Sequence, residues 1–361
     1  MAPSAAPRPR KSRGWMIVAI VLLVLLALSL FGNFSQWLGG FMPMQVAHLR
    51  SSEAGPQLDE ATLEDNDSAN KIVVVDVSGI ITSRGMDQSG VTMVERIKAE
   101  LKLAQEDTRV KAVLLRVDSP GGEVLASDEI YGLLKDFQDG KPGKPGKPVI
   151  TSMGNLAASG GYYISSASRW IVANEMTITG SIGVIMHAYN YRGLMDKIGL
   201  APDVYKSGKH KDMLSGERSA EEIPADEREM VQSLIDETYG RFKHVVEEGR
   251  GAAHGKNKTE GKALADDWKD YADGRVLSGN RALELGFVDE VGNFDKAVER
   301  ARLIAHIKNA NLVEYKLRHD FSDLFRLFGK TEVPTIKVDL GLNGPKVEAG
   351  QLYFLSPTFL H

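Results

Sequence analysis

The sequence predicts an α/β fold built on a parallel sheet, and three observations predict it. Three short runs, "KIVVVDVSGII" from Lys71, "KAVLLRVDS" from Lys111 and "KPVITSM" from Lys147, have the β-branched, apolar texture of strands buried on both faces. Helical patterns separate them. "VTMVERIKAELKLAQED" sets Val94, Ile97, Leu101 and Ala104 at helical spacing, and "SDEIYGLLKDFQ" does the same with Ile130, Leu133, Leu134 and Phe137. Glycines punctuate two consecutive strand-to-helix junctions, "VDSPGGEV" (Val117 to Val124) and "MGNLAASGGYY" (Met153 to Tyr163). Strands alternating with helices imply βαβ units, whose junctions share the carboxyl edge of the sheet where ligands bind.

Ahead of this pattern lies a different texture. No Asp, Glu, Lys or Arg occurs between Arg13 and Arg50, and "WMIVAIVLLVLLALSLF" from Trp15 to Phe31 is 17 apolar or small residues, long enough to cross a bilayer as a helix. Four bases (Arg8, Arg10, Lys11, Arg13) precede it, so an uncleaved anchor with a cytoplasmic N-terminus is expected, placing the rest of the chain outside the cytoplasm. A cleaved signal peptide is the competing reading, disfavoured by the absence of a small-x-small site after Phe31. Residues 1–14 then form a basic tail and 32–70 a solvated linker ending in "SSEAGPQLDEATLEDNDSAN".

Formal charge is −4, and taking the four N-terminal bases away leaves −8, which argues against a nucleic-acid partner. The chain has no cysteine, excluding disulfides, thiolate metal sites and a cysteine nucleophile. "DGKPGKPGKP" (Asp139 to Pro148) is no phosphate loop, because Gly146-Lys147 is followed by proline and a strand; it reads as an exposed, polyproline-like connector. Further on, "PADEREMVQSLIDETYGRFKHVVEEGRG" is a long amphipathic helix with Val231, Leu234, Ile235, Tyr239, Phe242 and Val246 along one side, fit for core packing or for a subunit interface.

The chemistry centres on Ser159, which sits between alanines and a glycine pair. A serine there is an ordinary cap or packing residue unless a base accompanies it. His187 and His210 are two candidates; "VYKSGKHKDMLSGER", with Lys206, Lys209 and Lys211, supplies others or is simply a basic surface loop. Lysine acts as a base only when neutral, which demands desolvation or neighbouring cations. The N–H groups of the first glycine pair and of Gly160 could hold a developing oxyanion.

Four separated blocks, "DSPGG", "GNLAASGGYYISSASRWIVANEMTITGSIGVI", "YKSGKHKDMLS" and "DGRVLSGNRALELGFVDEVG", resemble the signal peptide peptidase A family of membrane-anchored serine proteases in its short, single-unit form, over roughly Lys71 to Arg300. The resemblance implies a ClpP/crotonase-like α/β fold of repeated ββα and βαβ units with an N-terminal transmembrane helix, its protease domain at 71–315 and a C-terminal extension at 316–361. It implies Ser159 as nucleophile, Lys211 as general base, Ser181 orienting the lysine, and Gly122 and Gly160 as oxyanion donors. Expected substrates are hydrophobic peptides such as cleaved signal peptides, with no cofactor or metal. The single-unit members form closed rings in which one protomer's serine meets its neighbour's lysine, so a homo-oligomer is expected. Two other functions stay open: a crotonase-type acyl-CoA enzyme and an inactive membrane-tethered scaffold.

Overall fold

A computed structural model describes residues 55–85, 90–318 and 352–355, together with Leu22, Leu23 and Leu26. The chain divides into Met1–Gly55 and Pro56–His361. Leu22, Leu23 and Leu26 are helical and exposed; the rest of the apolar run at 15–31 lies outside the described residues. No helix among the described residues is long and apolar enough to cross a membrane.

The second unit is a mixed α/β fold around a central sheet. In chain order its strands are β1 (Leu58–Glu64), β2 (Lys71–Ser78), β3 (Val110–Ser119), β4 (Gly121–Glu123), β5 (Gly140–Lys141), β6 (Lys144–Pro145), β7 (Val149–Ala158), β8 (Trp170–Ala173), β9 (Ile178–Gly180), β10 (Ile185–Met186), β11 (Val276–Ser278), β12 (Glu290–Val291), β13 (Asn311–Leu317) and β14 (Leu352–Leu355). The helices are α1 (Met93–Glu106), α2 (Val124–Asp139), α3 (Gly160–Ser165), α4 (Arg192–Ile198), α5 (Ala225–Asn257), α6 (Gly279–Glu284) and α7 (Phe294–Ile304). The main sheet runs β1-β13-β2-β3-β7-β8-β12, and β7 also pairs with β9, which carries β11. The central pairs β13–β2, β2–β3, β3–β7 and β7–β8 are parallel, as the alternation of runs and helices requires.

Strand alternation divides the core into two layers. Val73, Val75 and Val77 of β2, with Val113, Leu115 and Val117 of β3, meet α1, α2, α3 and the second half of α5. Ile72, Val74, Ala112, Leu114 and Ile150 point the other way, onto Ala297, Val298 and Ala301 of α7. Helix α1 starts at a capping box in which Thr92 Oγ1 accepts from the Glu95 N–H at 3.1 Å and Glu95 accepts from the Thr92 N–H at 2.9 Å.

Four expectations need correction. The stretch taken as linker contains β1, which pairs antiparallel with β13; its acidic residues suit an edge strand, where charge blocks further pairing. The C-terminal extension likewise contributes to the fold, through the end of β13 and through β14, which lies antiparallel between β10 and β4. The Lys/Pro/Gly insert is a hairpin rather than a polyproline connector: β5 pairs with β6 across Pro142-Gly143, and proline followed by a glycine at φ +80° is the pattern of a type II turn. Its last lysine, Lys147, donates to the carbonyls of Ala104 (2.6 Å), Gln105 (3.3 Å) and Asp107 (2.8 Å), capping the C-terminus of α1. Finally, α5 packs in the core through Phe242, Val245 and Val246 with Tyr239 partly buried against it, whereas Leu234 of the expected stripe is exposed.

Helix α5 is tied down by a fully buried ion pair. Arg250 Nη2 donates to Asp289 Oδ1 at 2.6 Å, and Asp289 Oδ2 accepts the N–H of Ile171 in β8 at 2.9 Å. Removing one member of such a pair leaves the other as an unpaired buried charge, which costs about 3–5 kcal/mol.

Glu100 of α1 is 2 % exposed, and burial pushes its carboxyl from 4.5 up to about 7, against the opposing pull of Arg96, whose guanidinium donates to Glu100 Oε1 at 2.8 Å. The folded protein therefore keeps this proton to higher pH than the unfolded chain does. The resulting stabilisation is full below pH 4.5 and is lost as pH rises from 4.5 to about 7. At about 1.4 kcal/mol per pH unit the loss reaches roughly 3 kcal/mol. Denaturant titrations across this window should show Glu100→Gln with a shallower fall in stability than the wild type; parallel profiles would contradict the assignment.

Candidate active site

The site forms where β3 and β7 end side by side. Strand β7 ends at Ala158, and the next residue, Ser159, adopts φ +54° and ψ −117° before α3 begins. A non-glycine residue at positive φ is strained and persists only when its surroundings hold it. Here the Ser159 N–H donates to Gly180 O at 2.8 Å, and Ser159 O accepts from the Tyr163 N–H at 2.8 Å. Ser159 is 1 % exposed, yet its Oγ has no hydrogen-bond partner among the described residues. A buried hydroxyl without a partner is costly in a purely structural serine.

The neighbouring turn comes from β3. Ser119 Oγ accepts from the Gly121 N–H at 3.1 Å, and Gly121 takes φ +100°. The two turns nearly touch. A Cβ on Gly121 would lie 2.6 Å from Gly160 N, and a Cβ on Gly160 would lie 2.7 Å from Ser127 Oγ and 3.1 Å from Gly122 N. Only glycine at both positions permits this approach.

Glu123 fixes the turn from its far side and was missed in the sequence. Its carboxylate accepts from Ser83 N–H at 2.9 Å, Ser83 Oγ at 2.5 Å and Thr82 Oγ1 at 2.8 Å. Burial alone would raise this carboxyl, but the bonds from Ser83 and Thr82 outweigh it and hold it below its ordinary range. The only cue was its place directly after the glycine pair.

Strand β14 covers this edge, with Phe354 opposite Gly122 and Tyr353 opposite both Glu123 and Ile185. Gly121 O accepts from Ile81 N–H at 2.9 Å and Glu123 N–H donates to Ile81 O at 2.8 Å. Alternation along β4 therefore turns the N–H and C=O of Gly122 the other way, toward Phe354. The Phe354 ring is fully buried, stacked on Tyr163 at 4.8 Å and tilted against Phe242 at 4.7 Å. Tyr163 is anchored in turn, its hydroxyl donating to Asp128 Oδ1 at 2.5 Å.

The structure thus brings together Ser159, Gly122 and Gly160. Ser181 adjoins them: it follows Gly180, which accepts the Ser159 N–H, and its own N–H donates to Arg275 O at 2.8 Å while its φ is +51°. Lys211 is not brought in. It is exposed in a turn after Gly208, and no hydrogen bond or ion pair engages its ammonium among the described residues. His210 faces Asp226 and Glu227, each at 3.6 Å, and neither it nor His187 bonds to Ser159. Among the described residues no group of three or more His, Asp or Glu is placed to hold a metal ion.

Residues 142–308, which include Ser159, Ser181 and Lys211, match the model of peptidase family S49. A chain of Enterococcus faecium named for signal peptide peptidase SppA is 38% identical over 265 residues, covering 72% of this chain and 71% of that one. The chain belongs to peptidase family S49. A Synechocystis chain named as a protease is 37% identical over 276 residues, 75% of this chain and 88% of its own length. Protease 4 of Haemophilus influenzae is 36% identical over 255 residues, 70% of this chain but 38% of the longer relative. This S49 member is accordingly a serine peptidase of the SppA type.

The close approach of the two turns gives a direct test. In Gly160→Ala, the added methyl must push against Ser127 Oγ and the Gly121–Gly122 backbone. Displacing the N–H groups by a few tenths of an ångström should lower kcat by about 10²-fold. Ser127→Gly in the same chain should restore part of the loss by removing the nearest contact. An unchanged kcat in Gly160→Ala would show that these N–H groups are not used.

Proposed function

We propose that the protein is a membrane-anchored serine endopeptidase in which Ser159 is the nucleophile and Lys211 the general base. The observation that carries this reading is Ser159 itself: strained, buried, without a partner for its Oγ among the described residues, and flanked by Gly122 and Gly160. Neutral Lys211 takes the Ser159 proton as Oγ attacks a peptide carbonyl, Ser181 orients the lysine, and the Gly122 and Gly160 N–H groups stabilise the tetrahedral oxyanion. Water then hydrolyses the acyl-enzyme. The reading includes a ClpP/crotonase-like arrangement of the α/β units and a helix at 15–31 anchoring the chain with its N-terminus in the cytoplasm. Its substrates are hydrophobic peptides, and the name of the Enterococcus faecium relative supports signal peptides among them.

Lys211 reaches a serine of the next protomer in a closed ring. Two features support this: its exposure within one protomer, and the exposed Tyr189, Tyr191, Leu194, Val204 and Tyr205 in the chain segment leading to it. Apolar side chains left in water at such density fit a subunit contact.

Ser159→Ala and Lys211→Ala should each abolish hydrolysis of an apolar peptide while leaving thermal stability near wild type. Lys211→Arg should be equally inactive, because guanidinium does not give up its proton. Labelling by a fluorophosphonate should be lost in Ser159→Ala, and labelling that persists there would place the nucleophile elsewhere.

Co-expressed Ser159→Ala and Lys211→Ala subunits, purified through separate tags, should recover roughly a quarter of wild-type activity if they close a ring, since random mixing pairs an intact serine with an intact lysine that often. A verified mixed assembly without activity would place both residues in one protomer.

A further inference from the structure

Between Lys206 and Arg218 the run "KSGKHKDMLSGER" carries five basic side chains, and α5 opens shortly after it with two acids in its first turn, Asp226 and Glu227. Carboxylates are favoured at a helix N-terminus, and the basic loop folds back onto them. The pairing is one to one. Lys206 Nζ donates to both oxygens of Asp212 at 2.6 and 2.7 Å, Lys209 Nζ donates to Asp226 Oδ2 at 2.6 Å, and the Arg218 guanidinium forks onto both oxygens of Glu227, with Nη1 to Oε1 at 2.9 Å. Side-chain bonds from Lys206, Lys209 and Arg218 are the main cause that holds these three carboxyls below their ordinary range. Arg218 Nη1 also stands 3.6 Å from Asp212, and His210 stands 3.6 Å from both Asp226 and Glu227. Lys211, set in the chain between His210 and Asp212, is the lysine of this run that takes no carboxylate among the described residues.

A carboxylate beside a lysine favours the charged ammonium, and a charged ammonium is no base. One of the three carboxylates is the next residue in the chain and the other two face the preceding one, so any of them left uncommitted would be open to the Lys211 side chain on its flexible stem. We infer that Lys206, Lys209 and Arg218 are positioning residues: they occupy Asp212, Asp226 and Glu227, and so leave the Lys211 side chain free to give up its proton and reach a serine. This rests on the proposed role of Lys211 as general base, and it holds whichever protomer's Ser159 that lysine serves. The pairs differ in what else they do. Glu227 is buried, and its forked, charge-assisted bond to Arg218 also fixes the loop on α5. Lys209 and Asp226 are both exposed, and a pair of that kind adds little to stability. Its contribution is the carboxylate it withholds from Lys211.

Steady-state kinetics of the full chain on an apolar peptide, followed across the acid limb of kcat, test this. Lys206→Gln, which frees Asp212, should lower kcat at neutral pH by roughly fivefold or more, leave KM within about twofold, and move the acid limb to higher pH, because the freed carboxylate holds the proton on Lys211. Adding Asp212→Asn removes that carboxylate and should return kcat and the acid limb toward wild type. A merely structural pair would not be mended in this way, since the Lys206–Asp212 bond is missing from both chains. Lys209→Gln, with and without Asp226→Asn, should repeat the pattern at a pair too exposed to disturb the fold. Lys206→Arg keeps the carboxylate occupied and should retain most of the wild-type kcat. Wild-type kcat and acid limb in both Lys206→Gln and Lys209→Gln, beside an inactive Lys211→Ala, would overturn this inference alone. Double variants as impaired as the single ones would overturn it too. Full activity in Lys211→Ala would overturn the assignment of the base itself, and this inference with it.

Discussion

Everything at the site depends on two backbone turns approaching closer than a methyl group allows. The turn after β3 and the turn after β7 lie side by side because their strands are adjacent and parallel, β3 pairing with β7 from Val113 to Ser119. Adjacent parallel strands bring their carboxyl ends together, but in most sheets side chains keep the following turns apart. Here Gly121 and Gly160 carry none, and main-chain nitrogen from both turns can face one small volume. Ser119 and Ser127 hold that backbone through bonds local to the first turn, and Glu123 ties it to Thr82 and Ser83 outside the turns. The site is thus assembled from main chain first and side chains second, which suits a reaction whose charge develops on a single oxygen.

The legibility of the fold follows the strength of its periodicities. Strands β2, β3 and β7 are buried on both faces, so their apolar runs stand out, and α1 and α2 bury one stripe each at the spacing their sequences display. Strand β1 hides because an edge strand exposes most of its length and can carry acids. Three of its seven residues are Asp or Glu, which reads as solvated loop when no partner is in view. The hairpin at 140–145 was obscured by prolines, which argue against strands in general but not at a two-residue turn on the surface.

Within the site, the glycines were legible because a sharp turn needs glycine, whereas Ser159 was singled out by the resemblance and not by its local pattern, which suits an ordinary cap equally well. Lys211 differs, since what makes a lysine a base is its surroundings rather than its neighbours in the chain. Among the described residues Lys211 is exposed, without such surroundings. The aromatic cluster of Tyr163, Phe242 and Phe354 was illegible for another reason. Tyr163 and Phe242 lie on helices far apart in sequence, and Phe354, which packs against both, arrives from a still more distant segment.

The backbone of Ser159 carries a consequence for the history of such a protein. An L-residue in the left-handed region costs of order 1–2 kcal/mol that glycine would not. On the role proposed for Ser159, stability and chemistry pull this position in opposite directions, and selection for turnover keeps a side chain there. In a duplicated copy freed from that selection, drift toward glycine at 159 would be rewarded at once by a firmer fold. The strain would vanish along with the enzyme.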